Sequence, residues 1–151
     1  MRQVATIKAA YDWMAEARRT AINESVAAGD TQTASRQEET RVTLDRAFFV
    51  LLFGQFETAV TETFEQARNA RSANPDWKSR RGWDVPAYGD RRIPFETKLA
   101  LVIDRRGKPH STILQAYALR NHFAHGGTRE PVSSIDDFVA DLYAWQALLR
   151  R

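Results

Sequence analysis

Apolar residues recur at every third or fourth position along most of the chain, the spacing that places them on one face of an α-helix. The first such stripe covers residues 2–28 and ends at Gly29, a residue type common at helix C-termini. The second covers residues 36–72, with Ser35 or Thr31 as its predicted N-cap. A short link between two long helices predicts an antiparallel hairpin.

The middle of the second helix, residues 47–56, is apolar on nearly every side. A helix segment of this kind is typical of a protein core or an interface between subunits. It is too short to cross a bilayer, which requires about 20 apolar residues. Gly54 lies inside it and costs about 1 kcal/mol relative to alanine. We therefore expect a close approach of another helix at Gly54.

Three shorter helices are predicted in the second half of the chain, over residues 95–104, 111–125 and 135–149. Their predicted starts are marked by Pro94, by Ser111, and by Pro131 with Ser133 or Ser134. The chain shows no repeat and no alternating pattern typical of a strand. The sequence therefore predicts one domain, residues 1–151, with an all-α fold: an up-and-down bundle of about five helices that begins with a long antiparallel hairpin.

Residues 74–93 interrupt the helical pattern with several prolines and glycines. A loop of about 20 residues is long for a compact domain, which favours a functional role or docking by its aromatic side chains. Trp77, Trp83 and Tyr88 stand among basic residues in this segment. Anchoring of the loop on the core is the favoured interpretation, and stacking on nucleic-acid bases is the alternative.

Charge is concentrated near this loop. The chain has a net charge of +3, and residues 74–108 contain nine Lys and Arg against five Asp and Glu. A clustered excess of positive charge suits a polyanion such as RNA. The alternative is a basic loop that is simply solvated.

The chain has no cysteine, which excludes structural disulfides and thiolate metal sites. Its first residues contain no long apolar segment, so no signal peptide is expected. These features predict a cytoplasmic protein that does not associate with membranes.

Chemically capable side chains are concentrated in residues 119–127, Leu-Arg-Asn-His-Phe-Ala-His-Gly-Gly. On a helix, Asn121 and His125 lie on one face, whereas His122 faces another side. We expect Asn121 to hydrogen-bond the His125 ring and fix its orientation. An imidazole suits general acid–base catalysis, and the neighbouring Arg120 guanidinium can hold a phosphate and stabilise developing charge.

These residue types fit metal-independent attack on a phosphodiester. No third acidic or thiolate ligand accompanies the histidines, so neither a metal nor another cofactor is expected. In RNA the 2′-hydroxyl can serve as the internal nucleophile and leave a cyclic phosphate. The arginine-to-histidine spacing is not specific by itself, because Arg105 and His110 show it as well. The asparagine after Arg120 and the glycine pair after His125 make the motif more distinctive.

Residues 120–125, Arg-Asn-x-x-x-His at the end of an amphipathic helix, resemble the motif of the HEPN superfamily (higher eukaryotes and prokaryotes nucleotide-binding domains). The resemblance implies a helical bundle, a homodimer whose two motif helices form one composite cleft, and metal-independent endoribonuclease activity. Family members often act as the toxin of a toxin–antitoxin pair or in phage defence, so the partners implied are RNA and a cognate antitoxin. It also implies that Arg120 and His125 are the catalytic pair and that Asn121 is the polar residue after the arginine.

Each site residue has a second interpretation. In this interpretation His125 is a helix cap without a catalytic role, and Arg120 forms an ion pair with an acid such as Glu57 or Asp141. Glu57 would then orient Arg120 or remain a surface charge, and His122 is a supporting or a surface residue. For the whole chain the alternatives are a non-catalytic helical module that binds RNA or protein, and a DNA-binding regulator. No compact helix-turn-helix pattern supports the regulator.

Overall fold

A computed structural model describes residues 1, 3–83, 93–128, 132 and 134–149. Within these ranges the chain forms six helices and no strand: α1 Val4–Ala27, α2 Thr31–Ser72, α3 Trp77–Arg80, α4 Phe95–Val102, α5 Lys108–Ala124 and α6 Ile135–Leu149. The predicted all-α bundle with a long N-terminal hairpin is confirmed. Tyr88, Pro131 and Ser133 lie outside the described residues.

Helix α2 is central to the bundle, because α1, α4, α5 and α6 all pack against it. Its buried side chains extend from Phe48 to Phe64. Aromatic rings join it to the neighbouring helices, and Phe49 stacks on Phe138 of α6 with 4.2 Å between ring centroids. Residues 31–47 contain no buried side chain, so the core is formed by the second half of α2.

The predicted start of α2 at residue 36 is wrong. Asp30 caps the helix by accepting a hydrogen bond from the Thr33 amide at 2.9 Å, and the helix begins at Thr31. Ser35 therefore lies inside the helix. The preceding Gly29 has φ +73°, a left-handed conformation that glycine adopts without steric cost and that ends α1.

Part of the predicted 74–93 loop is the short helix α3. Asp76 caps it by accepting hydrogen bonds from the amides of Lys78 at 3.2 Å and Ser79 at 3.1 Å. An aspartate at this position satisfies amides that the first turn of a helix leaves unpaired. The prolines and glycines of the segment favour a loop, whereas Asp76 favours the start of a helix.

The two tryptophans of this segment have different environments. Trp83 packs against Phe64 of α2 with 6.4 Å between ring centroids, which confirms its predicted anchoring. Trp77 is 57% exposed, so its predicted anchoring is wrong. Its position on α3 directs the ring away from the core.

The later helices also differ slightly from the predictions. α5 begins at Lys108 rather than Ser111, whose hydroxyl donates to the Lys108 carbonyl at 2.8 Å inside the first turn. Ser134 caps α6 as predicted, accepting a hydrogen bond from the Asp137 amide at 3.2 Å. The predicted close approach at Gly54 is not found within the described chain, since a Cβ built there would meet no atom within 4 Å. None of the described helices is both long and apolar enough to cross a membrane.

Candidate functional site

The end of α5 and the turn that follows it carry the motif. The Gly126 amide donates to the Phe123 carbonyl at 3.0 Å, and the Gly127 amide donates to the His122 carbonyl at 2.9 Å. These paired bonds are the Schellman arrangement that closes many helices. His125 is the C-cap, one residue past the last helical residue rather than in the last turn. The chain therefore reverses directly after the candidate catalytic histidine.

Gly126 is expected to be required for this reversal, because its φ is +82°. Gly126→Ala should lower the free energy of unfolding by about 1–2 kcal/mol, the cost of a left-handed conformation for an L-residue. Urea unfolding followed by circular dichroism measures the change. Gly82→Ala is the control, since Gly82 does not have a positive φ and a Cβ there meets nothing within 4 Å. Equal losses in the two variants would show that the turn has no special requirement.

Arg120 is held by two neighbours. Its Nη2 lies 3.1 Å from Oε2 of Glu57 on α2, and its Nη1 donates to Oδ1 of Asn121 at 3.0 Å. The side chains of Arg120 and Glu57 are 29% and 23% exposed. The predicted ion pair is therefore confirmed with Glu57, whereas Asp141 is an exposed residue of α6. This ion pair joins α5 to α2 and holds the guanidinium in a half-buried position.

Burial raises the pKa of Glu57 above its ordinary value of 4.5, and the nearby charges of Arg120 and Lys98 only partly oppose this rise. Lys98 of α4 also donates to the Thr61 hydroxyl at 3.2 Å, one turn further along α2. The desolvation of the carboxylate therefore outweighs its attraction to the two cations. A carboxylate in this setting is a poor source of stability.

The raised pKa of Glu57 determines how stability should change with pH. The contribution of this group is fully present below pH 4.5 and is lost as pH rises through the raised pKa. Glu57→Gln carries no such titration, so this variant should gain stability relative to the wild type as pH rises through that window. Urea unfolding between about pH 4 and pH 7 measures the difference. Glu62→Gln, at an exposed position of α2, serves as control. If Glu57→Gln instead loses stability as pH rises, the ion pair outweighs burial.

The two histidines of the motif have different surroundings. The His122 ring lies over Gly127, where an added Cβ would overlap it. The His125 side chain is exposed, and within the described ranges no hydrogen bond joins it to another side chain. The predicted bond from Asn121 to its ring is therefore wrong. His125 leaves the helical conformation, with φ −98° and ψ 18°, and the Asn121 oxygen is occupied by Arg120.

Arg46 of α2 is a residue of this site that the sequence did not indicate. Its guanidinium lies 5.7 Å from the Phe123 ring centroid, and its Nη2 donates to the Thr128 carbonyl. Arg46 therefore contacts the chain on both sides of the reversal. Its partner carbonyl is 82 residues away, so no local spacing points to this contact.

An apolar groove of about 500 Å³ opens beside the motif, between α2 and the turn after α5. Its lining includes Val50 and Leu51 of α2 and Phe123 and Ala124 of α5. Leu51 is 54% exposed, and several apolar side chains meet at this groove. Such an apolar surface is typical of a contact with another molecule.

No protein-family model, curated protein or solved structure matches this chain. Within the ranges that the structure describes, no group of three or more His, Asp or Glu residues is arranged to hold a metal ion.

Proposed function

We propose that this chain is a metal-independent endoribonuclease of the HEPN type, with Arg120 and His125 as its catalytic residues. The observation that supports it best is the pairing of Arg120 with Glu57 and Asn121, five residues before an exposed imidazole at the end of the same helix. This arrangement supplies a fixed cation for a phosphate and a titratable group free to contact a substrate. In the cell it would act in the cytoplasm as a toxin or phage-defence effector controlled by a cognate antitoxin.

The reaction needs only these groups and the RNA. A His125 imidazole removes the proton of a ribose 2′-hydroxyl, and the 2′-oxygen forms a bond to the adjacent phosphorus. The bond from phosphorus to the 5′-oxygen of the next nucleotide breaks, and that oxygen receives a proton from a second imidazole. The products are a 2′,3′-cyclic phosphate and a 5′-hydroxyl. Arg120 contacts a non-bridging oxygen and stabilises the charge that builds on it.

A second copy of the chain supplies the second imidazole in this proposal. Ala47, Leu51 and Gly54 are four and three residues apart, so they share one face of α2. A Cβ at Gly54 would meet no atom within 4 Å, which leaves room for a neighbouring helix. The apolar groove adjoins this face at Leu51. A two-fold axis here would place the same residues of two copies opposite each other and bring their motifs together.

A non-catalytic module of the same fold is the alternative function. One observation favours it: the Arg120 guanidinium already has two partners, as it would in an ion pair that only joins α5 to α2. In that case Arg120→Ala alters stability or association, and the wild type cleaves no RNA. Such a module would bind RNA or protein without cleaving RNA.

Cleavage of single-stranded RNA in EDTA distinguishes these two functions. The comparison uses the wild type, Arg120→Ala and His125→Ala, each purified in the same way. The proposal predicts cleavage by the wild type in EDTA and its loss in both variants. Equal residual activity in all three proteins would indicate a contaminating nuclease and overturn the proposal.

A further inference from the structure

We propose that single-stranded RNA follows a row of basic side chains beside the second half of α2, from Arg120 to a base-stacking platform at Trp77. This inference rests on the proposed function, because it takes RNA as the ligand of the motif. Its basis is a line of four basic side chains, here named the cation row: Arg120, Lys98, Arg68 and Arg71.

The cation row is positioned by side chains on or against α2. Arg120 forms an ion pair with Glu57, and Lys98 donates a hydrogen bond to the Thr61 hydroxyl. The Arg68 guanidinium lies 5.8 Å from the Phe64 ring centroid, and Arg71 lies 5.7 Å from that of Trp83. Positions 57, 61, 64, 68 and 71 are separated by alternating steps of four and three residues, so they share one side of the helix. Phe64 on this side is buried, so the basic side chains rather than the helix surface are available to a ligand. At about 1.5 Å per residue, this face is about 21 Å long.

Trp77 lies beyond the end of the cation row. Its side chain is 57% exposed, and α3 holds it in place through the Asp76 cap. Trp83 has a different role, because it packs on Phe64 and so anchors the segment after α3 on α2. An exposed indole on a fixed turn offers a flat face to any base, and the adjacent Lys78 adds positive charge.

The charges on this face favour a polyanion. Two of the four cations of the row are paired with carboxylates, Arg120 with Glu57 and Arg68 with Glu65 at 2.7 Å, so the excess positive charge comes from Lys98 and Arg71. Within the described part of the chain, no acidic side chain forms an ion pair with Arg71 or Lys78. Cations in a row that end at an aromatic ring match a phosphate backbone with unpaired bases. A protein partner would instead require an apolar centre.

Binding of an uncleavable oligonucleotide tests this proposed RNA path, from Arg120 to Trp77, independently of catalysis. The probe is a fluorescent single strand of about eight 2′-fluoro nucleotides, a length within the range that single-strand binding sites cover. Trp77→Ala should weaken binding about tenfold, the effect of losing one stacked base. Arg71→Ala should reduce the slope of log affinity against log salt by about 0.7, one phosphate contact. The controls are Trp13→Ala and Arg36→Ala, both exposed residues of the hairpin, and they should not change binding.

The outcomes separate the path from the ribonuclease proposal. Equal effects of Trp77→Ala and Trp13→Ala would overturn the path, as would duplex RNA binding as tightly as a single strand. If the oligonucleotide does not bind the wild type at all, the path is wrong. Binding that depends on Trp77 in a wild type that cleaves nothing would support the path and reject the ribonuclease. Cleavage that depends on His125, with Trp77→Ala binding normally, would reject the path alone.

Discussion

His125→Ala is expected to lower the rate of RNA cleavage by about 10²–10⁴-fold, the range that general acid–base catalysis contributes. The fold should not change, because the imidazole is exposed and within the described residues no hydrogen bond joins it to another side chain. Cleavage is measured under single-turnover conditions, so that product release does not mask the chemical step. Thermal unfolding followed by circular dichroism checks that the variant is folded.

His122→Ala is the matched control for this experiment. It removes an exposed imidazole from the same motif, only three positions from His125. Because the His122 ring lies over Gly127, its loss should change stability slightly and cleavage far less than the loss of His125. Equal losses of activity in the two variants would show that His125 has no particular catalytic role.

Leu51→Lys is expected to convert the proposed dimer into a monomer and to abolish cleavage with it. Leu51 is 54% exposed on the open face of α2, so the substitution leaves the core of each copy unchanged. In a two-fold dimer it would place two ammonium groups close together in an apolar contact. We expect the dimer dissociation constant to rise at least about 100-fold, or about 3 kcal/mol, typical of losing a central interface residue. Sedimentation velocity measures the assembly, and the cleavage assay measures activity.

Tyr143→Lys is the control for Leu51→Lys. Tyr143 is 47% exposed on α6, and it does not line the apolar groove. This variant should keep the mass and the activity of the wild type. A Leu51→Lys protein that remains dimeric would contradict the proposed interface. A monomeric Leu51→Lys protein with full activity would contradict the composite site.

The order of the long helices and the central position of α2 could be predicted because both follow from the periodicity of apolar residues. The start of α2 could not be predicted, because Asp30, Thr31 and Ser35 are all residue types that cap helices. The left-handed conformation of Gly29 places the Asp30 side chain where it can accept a hydrogen bond from the Thr33 amide. This position of Asp30 is visible only in the folded backbone. Several residues near a helix start can therefore act as its cap, and the conformation of the preceding turn determines which one does.

The sequence predicted one contact of the candidate site correctly and another one wrongly. The Arg120 ion pair was among the expected contacts, because Glu57 is an acid in an apolar stretch and requires a partner. The predicted hydrogen bond from Asn121 to the His125 ring does not form, because the helix ends one residue before the histidine. Arg46 and Lys98 could not be found from spacing, since they meet side chains or carbonyls distant in sequence. Packing of α2 against α4 and α5 creates those contacts.

The chemistry of the product ends tests the central claim most directly. The wild type is incubated with a defined single-stranded RNA in EDTA, and the fragments are identified by mass spectrometry. We predict 2′,3′-cyclic phosphate and 5′-hydroxyl ends, no cleavage where the 2′-hydroxyl is replaced by hydrogen, and no such ends with His125→Ala. Fragments with 5′-phosphate ends, or the same fragments from His125→Ala, would contradict the assignment of this motif as a ribonuclease site.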